Sequence, residues 1–161
     1  MNKYVIGVIV LVVAGLLVLG ILNSNSEPEE NTTPEVSSVI TITESNYDFG
    51  DIDIFSGKVS TTYLLKNEGV EDVSILDAIT SCMCTEGEIG DLLFGMHGSS
   101  GDIVIIPAGG EQILKATFDP LAHGPEGVGK IKRELFLQTN STVAPEIKVT
   151  FSANVTKNET E

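Results

Sequence analysis

The sequence predicts an all-β domain, an immunoglobulin-like sandwich of about seven to eight antiparallel strands. Three observations point there: short runs alternating apolar and polar side chains, Gly, Asn, Asp and Pro punctuation between them, and almost no helical periodicity beyond Leu22. With no helices to cover a parallel sheet, two antiparallel sheets packed face to face bury the apolar sides.

Residues 1–3 form a short end carrying Lys3, and residues 4–22 read YVIGVIVLVVAGLLVLGIL without a charge. At ~1.5 Å per residue this stretch is long enough to cross a hydrocarbon core of ~30 Å. Every face of such a helix is apolar, whereas a soluble core helix keeps a polar stripe. The run ends without a small-x-small site, and no cysteine follows it to accept a lipid, so an uncleaved transmembrane anchor is expected. Cleavage after Asn23 would instead give a secreted domain. Lys3 precedes the span and Glu27, Glu29, Glu30 and Glu35 follow it, which places the N-terminus in the cytoplasm and the rest outside. The expected protein is therefore a single-pass protein of the cell membrane.

Residues 23–38, NSNSEPEENTTPEVSS, are polar and acidic and read as an unstructured spacer. Residues 39–156 are long enough for one domain with its own core, and 157–161 form a tail. Strands are expected at 39–43, around Tyr47–Asp51, and at 58–67, 73–79, 103–106, 112–118, 131–139 and 147–155. The last is the clearest, with Ile147, Val149, Phe151, Ala153 and Val155 on one face and Lys148, Thr150, Ser152 and Asn154 on the other. Leu114, Ala116 and Phe118, and likewise Val59, Tyr63 and Leu65, repeat that period. Asn67-Glu68-Gly69 and Pro107-Ala108-Gly109-Gly110 are turn chemistry.

Lys and Arg number 9 against 23 Asp and Glu, a formal net charge of −14. Nucleic acid is excluded as a partner and anionic lipid is a poor one, while the charge by itself keeps the chain soluble. There is no Gly-x-Ser-x-Gly elbow, no phosphate-binding loop ending in Lys and no His-Glu-x-x-His. Asn31, Asn140, Asn154 and Asn158 each begin an Asn-x-Ser/Thr sequon.

The order of Tyr47-Asp48-Phe49-Gly50-Asp51-Ile52, Asn67-Glu68-Gly69, Ser81-Cys82-Met83-Cys84-Thr85, Pro107-Ala108-Gly109-Gly110-Glu111, Phe118-Asp119-Pro120 and Thr139-Asn140 resembles the DUF1573 domain family, bacterial relatives of the ASPM, SPD-2 and Hydin immunoglobulin-like modules. The resemblance spans roughly Val39 to Val155 and implies an immunoglobulin-like fold in an exported or membrane-tethered setting. It implies no reaction. The chain departs from the family's Cys-Gly-Cys in having Met83 between the cysteines, and it carries a longer insert from Thr85 to Asp102.

Cys82 and Cys84 are the only cysteines and the best candidates for chemistry. Outside the cytoplasm such a pair forms a disulfide, binds a soft metal or sits buried as small apolar side chains, and all three stay open. In an extended strand their Cα atoms would lie ~6.6 Å apart and a disulfide would need the backbone to bend, which a tight turn at Met83 supplies. As metal ligands they would be completed by Met96, His97 and His123 from Gly-flanked loops, a donor set suited to copper or zinc. The leading functional expectation is a non-enzymatic, membrane-anchored extracytoplasmic module presenting loops to a cell-envelope protein. The alternatives are a soft-metal domain and a thiol redox protein.

Overall fold

The computed structural model describes Asn2, Tyr4 and residues 33–157. The anchor expected at 4–22, apart from Tyr4, most of the spacer and most of the tail lie outside the described residues. Among the described residues no helix is long and apolar enough to cross a membrane.

The described chain forms strands β1 (Ile40–Ile42), β2 (Asn46–Asp53), β3 (Val59–Asn67), β4 (Val73–Thr80), β5 (Thr85–Ile89), β6 (Leu92–Gly95), β7 (Gly98–Ser100), β8 (Val104–Ile106), β9 (Glu111–Phe118), β10 (Gly129–Thr139) and β11 (Glu146–Thr156). They build a six-stranded sheet in the order β1-β3-β9-β5-β6-β7 and a five-stranded sheet in the order β2-β11-β10-β4-β8. The alternating runs account for the core. Tyr63 and Leu65 of β3, Leu114, Ala116 and Phe118 of β9, Leu135 and Leu137 of β10, and the apolar face of β11 are all buried in one cluster, Ala153 beside it. Phe151 stands edge-on to Phe49 (centroids 5.5 Å) and tilted against Phe118 (5.6 Å), and Phe49 meets Tyr47 at 4.8 Å.

Two expectations are corrected. The strand count is eleven rather than seven or eight, because the supposed insert from Thr85 to Asp102 holds β5, β6 and β7. β5 is an interior strand, paired along β9 from Thr85↔Phe118 to Ile89↔Leu114. Its inward position 87 is a glycine because the Phe94 ring of β6 lies where a Cβ would project. Nor are the sheets wholly antiparallel. β1 pairs with β3 in one sheet, and the chain then crosses to the other, where β2 runs parallel to β11 from Asn46↔Thr150 to Asp53↔Thr156. A register shift between Ser152 and Asn154 is met on β2 by Gly50 at φ 68°.

The unit also begins before Val39. Val36 bridges Ser141 in parallel, and Ser38, 2% exposed, donates its hydroxyl to the Glu71 carbonyl and accepts from the Glu71 amide. Among the described residues, buried polar side-chain atoms are paired, as burial requires. The Tyr63 hydroxyl crosses between sheets to donate to the Thr150 carbonyl at 2.8 Å, and burial pushes its pKa up to about 12, with Tyr47 adding to the rise. Asn67 donates to the carbonyls of Glu71 and Ile106 and accepts from the Gly69 amide, which fixes the β3–β4 turn.

The pairing registers gather the β2–β3 loop, the β4–β5 turn and the β9–β10 loop at one end of the sandwich. The β3–β4 and β10–β11 turns and Val36 lie at the other.

Candidate functional site

The β4–β5 turn is built by its neighbours. The Thr85 amide donates to the Cys82 carbonyl at 3.1 Å, the Ser81 amide donates to Glu134 O, and Ser81 Oγ accepts from the Glu134 amide. Thr80 Oγ1 donates toward the carbonyls of Cys82 (3.0 Å) and Thr85 (3.1 Å). The turn brings the two cysteine Cα atoms to 5.2 Å, and Cys82 and Cys84 form a disulfide. Of the readings left open, the sulfurs are paired. The two cysteines are not equivalent: Cys84 is 2% exposed and joins the core, Cys82 is half-buried, and Met83 between them is 65% exposed rather than filling a gap inside.

His123 reaches this disulfide from the β9–β10 loop, whose first turns are closed by bonds from the Leu121 amide to Asp119 Oδ1 and from the Gly124 amide to the Leu121 carbonyl. The loop is tied to the turn itself, since the Asp119 amide donates to Cys84 O at 2.9 Å. His123 Nε2 lies 3.3 Å from Cys82 Sγ, and the ligand atoms of Cys82, Cys84 and His123 all lie within 4.8 Å of one another. Met96 and His97 occupy the exposed turn between β6 and β7, and His97 is not among the clustered ligands.

Arg133 completes the site. Its Nε donates to Cys84 Sγ at 3.1 Å and its Nη1 to the Lys132 carbonyl at 2.9 Å. Partial burial lowers its pKa from the usual guanidinium value, and it remains a cation. The charge sits beside the more buried sulfur, an arrangement that favours thiolate when the disulfide opens. The sequence held a signal for it: on β10, Arg133 shares the inward register of Ile131, Leu135 and Leu137, where a charged residue needs a partner.

The fold and site define a two-sheet β-sandwich with a disulfide, an imidazole and a guanidinium gathered at one end. Residues 40–155 match the family described as "Protein of unknown function (DUF1573)", and the chain belongs to it. Comparison with curated proteins finds no match. Among solved structures, the chain is similar to a protein of unknown function from Porphyromonas gingivalis W83, at 16% identity and TM-score 0.59 over 80% of this chain and 51% of that one. It thus spans about half the length of that protein. The ASH / PapD-like domain 7 of human CEP192 aligns at 17% identity and TM-score 0.47, over 84% of this chain and 98% of that domain. The E. coli chaperone DraB aligns at 6% identity and TM-score 0.46, over 81% and 60%. The first of these likenesses shows a shared fold and nothing further.

Proposed function

We propose that the chain is a non-enzymatic binding module of the cell envelope, anchored by residues 4–22 and held outside the cytoplasm, that engages a partner protein through the loop end bearing Met83. The observation that carries this reading is the exposed apolar set on those loops. Phe55, Met83, Leu121 and Val128 are all exposed around the disulfide, on loops held by hydrogen bonds rather than left to wander. Of these, Phe55 and Met83 are residue types that interface cores favour. The disulfide supports the compartment, because such bonds persist outside the reducing cytosol. Val36 pairs with Ser141 at the opposite end, so the chain does not enter the domain through this surface.

The test is site-specific photo-cross-linking in intact cells, with the reactive residue at Met83 or at Val143 on the opposite end of the full chain. A discrete cross-linked species from Met83 and none from Val143 is expected. Identical products from both positions, or none from either, would remove the reading.

A further inference from the structure

We infer that the Cys82–Cys84 disulfide is the closed form of a soft-metal site, which on reduction holds one Cu(I) ion between Cys82, Cys84 and His123. Three donors from two segments, the β4–β5 turn and the β9–β10 loop, converge here without a packing need for it: His123 is exposed, and its Nε2 lies 3.3 Å from Cys82 Sγ. Donors placed 2.0–2.3 Å from a common ion sit about 3.3–4 Å from one another, and all three ligand atoms already lie within 4.8 Å. Breaking the S–S bond lets the two sulfurs part to that spacing by side-chain rotation, because the turn, held by Thr80, Ser81 and Asp119, keeps the Cα atoms at 5.2 Å.

Charge selects the ion. Two thiolates, a neutral imidazole and Cu(I) carry −1, which the Arg133 guanidinium at Cys84 offsets; a divalent ion would leave a net positive charge in a half-buried site. Thiolate and imidazole are also donors that suit soft Cu(I).

Opening requires two electrons, supplied by an external dithiol. Its thiolate attacks Sγ of the half-buried Cys82, the S–S bond breaks, and the electron pair leaves on Sγ of Cys84 beside Arg133. The second thiol of the reductant then displaces Cys82. The reductant departs as a disulfide, its two protons pass to the cysteines, and Cu(I) binding expels them.

The test uses the full chain, either as purified in air or reduced with a phosphine and freed of it under nitrogen. Each form is mixed with Cu(I) held by excess bicinchoninate, whose colour reports the copper it keeps. The reduced chain is expected to withdraw one equivalent and the oxidised chain none. His123→Ala, at an exposed position, is expected to bind at least about tenfold more weakly with unchanged circular dichroism. Four results overturn the inference: no withdrawal by the reduced chain, equal withdrawal by the oxidised chain, an unaltered affinity in His123→Ala, or loss of the β-sheet spectrum on reduction. Uptake of one Zn(II) with Cu(I) refused overturns the choice of ion. None of these results depends on whether Met83 contacts a protein.

Discussion

Arg133 Nε donates to Cys84 Sγ at 3.1 Å, so a side chain from the middle of one sheet holds a cation against the more buried sulfur of a disulfide at the sandwich's end. The same contact stabilises that sulfur as a leaving thiolate. Arg133→Met is therefore expected to slow reduction of the disulfide by a soluble dithiol about tenfold, the effect of ~1.4 kcal/mol on a charge-assisted bond. Arg133→Lys should recover part of the rate. Stopped-flow thiol release measures both, and an unchanged rate in Arg133→Met would show that the guanidinium only packs there.

The disulfide closes a loop of only three residues, for which chain entropy gives about 1.6 kcal/mol. Cys82→Ser combined with Cys84→Ser is thus expected to stay folded, with a modestly lower urea midpoint and an unchanged denaturant slope. An unfolded double variant would mean that the bond carries the end of the sandwich.

Tyr63 links stability to alkaline pH. Its folded pKa of about 12 lies above the ordinary value of 10.0, so its contribution is complete below pH 10 and is lost as pH rises through 12. The slope is negative there because the unfolded chain has already released the proton that the folded chain keeps. Urea midpoints measured from pH 9 to 12 should fall more steeply in the wild type than in Tyr63→Phe. Near neutral pH, that variant should lose about 1–2 kcal/mol with its hydrogen bond to Thr150. Parallel curves for the two proteins would argue against the raised value.

Gly87 and Phe94 form a matched pair. Gly87→Ala pushes a methyl into the Phe94 ring and is expected to cost about 1–3 kcal/mol, while the same change in a Phe94→Leu background should cost less than half as much. Additive losses in the double-mutant cycle would place the strain elsewhere.

Asn67 is fully buried with both amide hydrogens donated and its oxygen accepting. Asn67→Ala leaves the Ile106 and Glu71 carbonyls and the Gly69 amide short of a partner, an expected loss of about 2–4 kcal/mol by chemical denaturation. A loss under 1 kcal/mol would mean that water replaces the side chain.

Much of this was legible in single-strand patterns and little of it in pairings. The alternation of Ile147 to Val155 and of Gln112 to Phe118 fixes which faces are buried, because the strand period depends on local geometry alone. β5 hid because its sequence, Thr-Glu-Gly-Glu-Ile, has a single large apolar side chain and takes its missing volume from Phe94, in another strand. The parallel pairing of β2 with β11 joins residues about a hundred apart, for which no local signal exists. At the site, the cysteines announced themselves by type and spacing. Which histidine meets them depends on the Asp119–Cys84 backbone bond, so His97 and His123 read alike in sequence. The Asn140 sequon illustrates the converse: its amide oxygen accepts from the Ser74 amide and its nitrogen donates to Pro34, a role in packing that leaves the nitrogen no room for a glycan.

A chain that emerges from a ribosome or a translocation channel presents β2 early and β11 last. Because β2 has only β11 beside it, and β11 supplies Phe151 and Val149 to the centre of the core, neither the second sheet nor the interior can close until the final strand is delivered. Of the early strands it is β2 that must wait, unpaired, until β11 is delivered, and a chain halted before Glu146 would be a client for holding factors rather than a shortened version of the domain.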